Sequence, residues 1–287
     1  MSLSLLRVVL LRTAAALMFL ILAGATYQGV ATALERREFR HPGQLVGVGG
    51  LQLHIFCTGD GSPTVVLEAP ATGMSAAWGW VQPELAGLTR VCSYDRAGLG
   101  WSETGDRPYD PGAVSEQLHT LLERSGEHMP YVLAGQGLGA AFAKLYAAQF
   151  SGDLAALVLI DDPGTTEGGA RHDRATTFAD ASPWLARAGL LRATSLMSRD
   201  AAGLPPAAAG ALTAFLNRPD HLARAARELS RWDDTVERAA AAPLPPGLPT
   251  IRVRAGGSGR FGFLTDKGQA AAAADGIRRA VTAARRR

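Results

Sequence analysis

Hydrophobic and polar positions fall into three regimes along the chain. The first is a single apolar run: Thr13 to Leu34 carries no charge and holds Ala-Leu-Met-Phe-Leu-Ile-Leu-Ala between Ala16 and Ala23. At a rise of about 1.5 Å per residue such a run crosses a hydrocarbon core of about 30 Å. Arg7 and Arg12 precede it, so residues 1–12 read as a basic flank and 13–34 as a transmembrane signal anchor. A cleaved signal peptide is the alternative, because Ala23-Gly24-Ala25 satisfies the small-x-small rule. Arg36, Arg37 and Arg40 follow and compete with Arg7 and Arg12 under the positive-inside rule.

The second regime, residues 44–164, alternates short apolar strands with helical stripes. Gln44 to Val48 and Leu51 to Phe56 predict a hairpin turning at Gly49-Gly50. Thr64 to Glu68 and Arg90 to Tyr94 read as strands buried on both faces, with Trp78, Trp80, Val81 and Leu85 at helical spacing between them. Asp110-Pro111 opens a helix with the stripe Val114, Leu118, Leu121 and Leu122. Tyr131 to Ala134 predicts a strand, Gly135 to Gly139 a tight turn, and Ala140 to Phe150 a helix. Leu154 to Ile160 is the next strand, ending at Asp161-Asp162-Pro163-Gly164. This alternation argues for a mostly parallel sheet flanked by helices.

In the third regime, 165–249, the strand signal gives way to helices after Ser182-Pro183 and after Pro219-Asp220, where Leu222, Leu229, Trp232 and Val236 are expected on one face. This is the signature of a helical cap closed by a Pro-rich connector. Residues 250–287 return to the sheet with a strand at Thr250 to Arg254 and a final helix from about Asp275.

Composition changes little in this picture. The chain has 287 residues, 47% hydrophobic, and a net charge of +3 with six histidines, enough for one α/β domain. The arginines at 278–279 and 285–287 lack interleaved aromatics, so no nucleic-acid partner is expected. No His, Cys and carboxylate spacing resembles a metal site, and Gly135 to Ala140 lacks both dinucleotide and P-loop spacing. No cofactor is expected.

Two segments carry specific chemistry. Tyr94-Asp95-Arg96-Ala97-Gly98-Leu99-Gly100-Trp101-Ser102 resembles the Asp-Arg-x-Gly-x-Gly-x-Ser turn of α/β-hydrolases of the ester- and lipid-cleaving type. Gly135-Gln136-Gly137-Leu138-Gly139, between a strand and a helix, is similar to that family's G-x-S-x-G nucleophile elbow. The resemblance implies an α/β-hydrolase fold, with oxyanion-hole amides at Ala71 and Leu138 and a triad acid at Asp161. It also makes the strands of Cys57 and Cys92 neighbours; a disulfide there would mark an oxidising compartment, and two buried free thiols are the other reading.

The family's chemistry needs a hydroxyl at the elbow, a histidine to take its proton and a carboxylate to orient that histidine. Gly137 stands at the nucleophile's place, and no histidine follows His221. Ser258-Gly259-Arg260-Phe261 resembles the family's Ser-Gly-His-Phe turn with Arg260 in the histidine's place. Either a segment before that turn is deleted, or the chain lost its eighth strand. Pro70 also replaces a glycine beside the oxyanion amide. The expectation is therefore a membrane-associated, catalytically degenerate member that binds a small apolar ligand or ester, its globular domain extracytoplasmic or, with a cleaved leader, secreted. The alternatives are an active carboxylic-ester or lipid hydrolase with relocated groups, for which Ser75, Ser93 and Ser102 lie near predicted strand ends, and a product of gene decay.

Overall fold

The computed structural model describes residues 3–105, 109–165, 169–254 and 262–286. It opens with a long helix, α1 (Leu3–Glu38), which extends the expected apolar run at both ends. The hairpin β1 (Gln44–Val48) and β2 (Leu51–Thr58) turns at Gly49 and Gly50, both at positive φ, the backbone that a two-residue hairpin turn demands.

Behind the hairpin lie β3 (Thr64–Glu68), α2 (Val81–Ala86), β4 (Val91–Tyr94), α3 (Pro111–Arg124), β5 (Tyr131–Gln136), α4 (Leu138–Gln149) and β6 (Leu154–Ile160). β7 (Thr250–Val253) and α10 (Lys267–Arg285) follow the cap. The strands form one sheet in the order β1-β2-β4-β3-β5-β6-β7. Only β1/β2 and β2/β4 pair antiparallel, and the rest is parallel. Cys57 and Cys92 are register partners across β2 and β4 and are joined by a disulfide.

Alternation along the buried strands divides the core. Val65 and Leu67 face a cluster with Trp78, Leu85 and Ile277 of α10, whereas Val66 and Leu133 face Leu118, Leu121 and Tyr146 of α3 and α4. Among the described residues no strand follows β7. Arg260, the proposed histidine position, lies outside the described residues, as does Ser258.

The cap comprises α5 (Gly169–Arg187), α6 (Leu190–Ala193), α7 (Pro206–Leu216), α8 (Pro219–Ser230) and α9 (Trp232–Ala241). Several boundaries differ from the sequence reading. α5 runs through Pro183 instead of starting after it: proline leaves the carbonyl four residues back without its helical donor, and Ser182 Oγ donates to that oxygen, Ala179 O, at 2.8 Å. The expected shared face of Leu222, Leu229, Trp232 and Val236 is broken at Arg231, between α8 and α9. Leu222 joins a cap cluster with Leu191 and Phe215, while the other three pack beside Phe142 of α4. The final helix starts before Asp275, at Lys267, where the Asp266 side chain caps it by accepting from Gln269 N–H at 2.8 Å.

Candidate functional site

β5 carries the chain to Gln136 and α4 begins at Leu138, so Gly137 alone makes the reversal, at φ 56° and ψ −121°. Its N–H donates to Ile160 O at 2.9 Å, and its carbonyl accepts from Ala140 N–H at 2.9 Å. This is a strand-to-helix elbow in the strained backbone region that glycine tolerates.

The three elbow glycines are glycine for different reasons. A Cβ on Gly135 would lie 2.2 Å from Gly139 O, and one on Gly139 would lie 2.6 Å from both Ala69 O and Glu68 O. Those two permit close backbone approach. A Cβ on Gly137 would meet nothing within 4 Å. Space for a side chain therefore exists where the side chain is missing.

That space is part of a cavity of about 400 Å³ whose walls include Pro70, Ala71, Thr72, Gln136, Leu138 and Trp232. The two expected oxyanion residues, Ala71 and Leu138, are thus brought to Gly137's cavity. Leu138 is the first residue of α4, so its N–H has no acceptor within the helix. Gln136 Oε1 and Thr72 Oγ1 are buried without a protein partner among the described residues. No histidine and no carboxylate stands on the described wall of this cavity.

The loop from Glu68 to Thr72 is held by a polar clamp that the sequence reading missed. Arg96, from the turn after β4, donates to Ala69 O at 2.7 Å and to Pro70 O at 3.0 Å. Its guanidinium also grips Glu68 Oε1 at 2.6 Å and both oxygens of Glu228 from α8, at 2.9 and 2.8 Å. Tyr94 donates its hydroxyl to the other Glu68 oxygen. All four side chains are buried. Burial pushes the Glu228 carboxyl up, but the Arg96 charge and its hydrogen bonds outweigh it and hold Glu228 below the usual range. For Glu68 burial prevails over Arg96 and the carboxyl is raised. The Asp-Arg turn was recognisable by motif; Glu228, in an amphipathic cap helix, gave no signal.

His221 closes the clamp from the cap. Its Nδ1 accepts from Gly100 N–H at 3.0 Å and its Nε2 donates to Thr72 O at 3.1 Å. The backbone N–H fixes the tautomer, leaving the proton on Nε2. Burial, first among the causes, lowers its pKa. With both nitrogens engaged, this neutral imidazole holds Thr72 in its left-handed conformation, φ 61°, and has no lone pair left to serve as a base.

A second histidine, His54 of β2, is oriented by a carboxylate: Nδ1 lies 3.0 Å from Asp95 Oδ2. Burial pushes the Asp95 carboxyl up, yet His54 and the N–H groups of Ser75 and Trp101 hold it low. Ser75 Oγ is 3.5 Å from the same Nδ1, while Nε2 is buried without a partner among the described residues. The hydroxyl thus faces the nitrogen already committed to Asp95. Ser93 and Ser102 donate to Gln82 Oε1 and Asp95 O, both at 2.6 Å.

Asp161 follows β6 at φ 47° and donates its N–H to Val253 O at 2.9 Å; it is not on the cavity wall. Its neighbour Asp162 is ion-paired with Lys144 at 2.8 Å. A second cavity, about 630 Å³ and more apolar, lies between Phe39, Phe56, Trp78, Trp101 and Ala208, and shares no wall residue with the first.

No family model matches the chain. Among curated proteins it is similar to the uncharacterized protein YbdG of Bacillus subtilis, 25% identical over 54% of this chain and 49% of that protein. An uncharacterized protein of Schizosaccharomyces pombe is 35% identical over 28% of this chain and 15% of its own length. The chain thus spans about half, or less, of these relatives. Among solved structures, the Cif epoxide hydrolase from Acinetobacter nosocomialis superposes with a TM-score of 0.64, with 15% identity over 86% of this chain and 85% of that one. A membrane phospholipase A, described as a bacterial virulence factor, superposes at 0.56, with 20% identity over 94% of this chain and 86% of that one. At such identities the likeness concerns architecture.

Proposed function

We propose that this chain, which has the α/β-hydrolase fold, is a membrane-attached member without acyl-transfer chemistry that binds a small, mostly apolar ligand or ester at its silent elbow. The observation that carries this reading is Gly137, a glycine in the elbow conformation with open space where a nucleophile would stand and no base on the described cavity wall. The unpartnered Gln136 Oε1 and Thr72 Oγ1 supply polar handles at an otherwise apolar wall, the composition of a small-molecule site. Thr72 suits an ester carbonyl and Gln136 a hydroxyl donor. α1 serves as a single-pass anchor, and the Cys57–Cys92 disulfide favours an extracytoplasmic side for the domain.

A second reading, an active ester or lipid hydrolase with relocated groups, draws on the carboxylate-oriented His54 beside Ser75. A fluorophosphonate probe separates the two. The full-length protein in detergent should remain unlabelled and hydrolyse short-chain esters no faster than buffer. Labelling mapped to one serine, with turnover that vanishes when that serine is replaced, would overturn the proposal.

A further inference from the structure

α1 and the cap meet backbone to backbone. A Cβ on Gly24 would lie 2.1 Å from Ala188 O, and one on Gly189 would lie 2.6 Å from Gly24 O, so the approach requires glycine on both sides. Polar contacts extend it. Gln28, buried, donates to Asn217 O at 2.7 Å and accepts from Arg192 Nε at 3.0 Å, and Arg192 pairs with Glu35. The second half of α1 is thereby fixed to the cap, while large apolar side chains from Leu3 to Leu22 stand exposed.

Outside α1, the large apolar side chains exposed among the described residues are Leu45, Met129, Trp184, Leu190 and Leu196. Three of them share one corner of the cap. Trp184 precedes Ala188 by one turn of α5, Leu190 follows Gly189 directly, and Leu196 lies just past α6. Arg187 sits over the Trp184 ring at 4.9 Å, a pairing of aromatic and cation suited to the headgroup level.

We infer that this corner, carrying Trp184, Leu190 and Leu196, is immersed in the membrane interface that α1 enters. Two lengths decide the matter. Were the cap clear of the bilayer, α1 would have to cross about 30 Å of hydrocarbon below Gly24. At about 1.5 Å per residue that reaches back to about Leu3 and leaves Arg7 and Arg12 inside the hydrocarbon. With the corner sunk about 5–10 Å, as amphipathic interfacial segments are, Gly24 lies at that depth. The further stretch of about 18 Å to Arg12 then brings its guanidinium within snorkelling reach of the opposite interface. The inference rests on the anchor reading of α1 and is independent of catalytic silence at Gly137.

The test uses the full-length chain in nanodiscs of phosphatidylcholine and phosphatidylglycerol. Spin labels are placed singly through Phe19→Cys, Leu190→Cys, Leu196→Cys and Met129→Cys, the native cysteines being in their disulfide. Labels at 19, 190 and 196 should be more accessible to oxygen than to a nickel chelate, and the label at 129 the reverse. A lipid-like signal at 19 with water-like signals at 190 and 196 overturns the inference and spares the anchor. Water-like signals at all four sites overturn both. As a label-free measure, brominated lipid should quench part of the tryptophan emission, and Trp184→Phe should remove most of that part; an unchanged quenched fraction also counts against immersion.

Discussion

The elbow cavity and the clamp behind its loop adjoin one another and are built to opposite rules. On the cavity side, Gly137 leaves open space and two buried polar atoms have no protein partner among the described residues. On the clamp side, Arg96 alone meets two carboxylates and two backbone carbonyls, and His221 has both nitrogens occupied. The contrast teaches that the loop beside an elbow cavity can be held by groups that do not line the cavity, because the loop is fixed from behind.

The sharpest way to break this comparison is at Arg96. Arg96→Met would leave Glu68 and Glu228 buried and uncompensated, a situation that typically costs about 3–5 kcal/mol. Urea unfolding of the variant should show a loss of that size or failure to fold at all. A loss below about 1 kcal/mol, the range of exposed pairs, would mean that the loop does not depend on the clamp.

Next come the glycines. Gly135→Ala drives a Cβ to 2.2 Å from a backbone oxygen, so its cost should reach the upper end of overpacking, about 3 kcal/mol. Gly137→Ala meets no atom within 4 Å and suffers only the backbone strain of a positive φ, about 1–2 kcal/mol. Equal losses in denaturant melts would show that the space beside Gly137 is not open.

Much of the scaffold is written locally. The hairpin is legible in Gly49-Gly50, the buried strands in runs such as Thr64 to Glu68, and the elbow in three alternate glycines. These are short-range signals of turn and burial. The clamp is not local: Glu228 is 132 residues from Arg96, and His221 is 149 from Thr72. Nothing in an amphipathic helix says which of its polar residues will turn inward. The cap boundaries failed for a related reason, since Ser182 repairs the carbonyl left by Pro183 and lets α5 pass through a residue that reads as a start. Gly137 was readable at the elbow because a motif fixes its position, whereas Arg260 falls outside the described residues.

A smaller effect should appear with pH. His221 has its pKa lowered by burial, so below about pH 6.5 the unfolded chain binds a proton there that the folded chain refuses. Its contribution is complete above that value and is lost as pH falls toward the folded pKa. Between about pH 7.5 and about pH 5.5 this amounts to about 1.4 kcal/mol at most. His221→Gln should flatten the stability profile by that amount; an unchanged acid slope would mean that folding does not lower the pKa of this imidazole.

The smallest expected effect is also the most informative about the cavity. Gly137→Ser restores the hydroxyl into open space, yet a serine without a base is a weak nucleophile. His221 of α8, which holds this loop, spends Nε2–H on Thr72 O and the Nδ1 lone pair on Gly100 N–H, while His54 is held by Asp95 away from the cavity wall. Ester turnover by the variant should therefore equal that of the parent chain, even though the side chain fits and Ala71 and Leu138, the residues expected to supply oxyanion amides, line the same cavity. A rate that rises with Gly137→Ser and titrates with a single group would reveal a base near the elbow and overturn the proposal that the site lacks acyl-transfer chemistry.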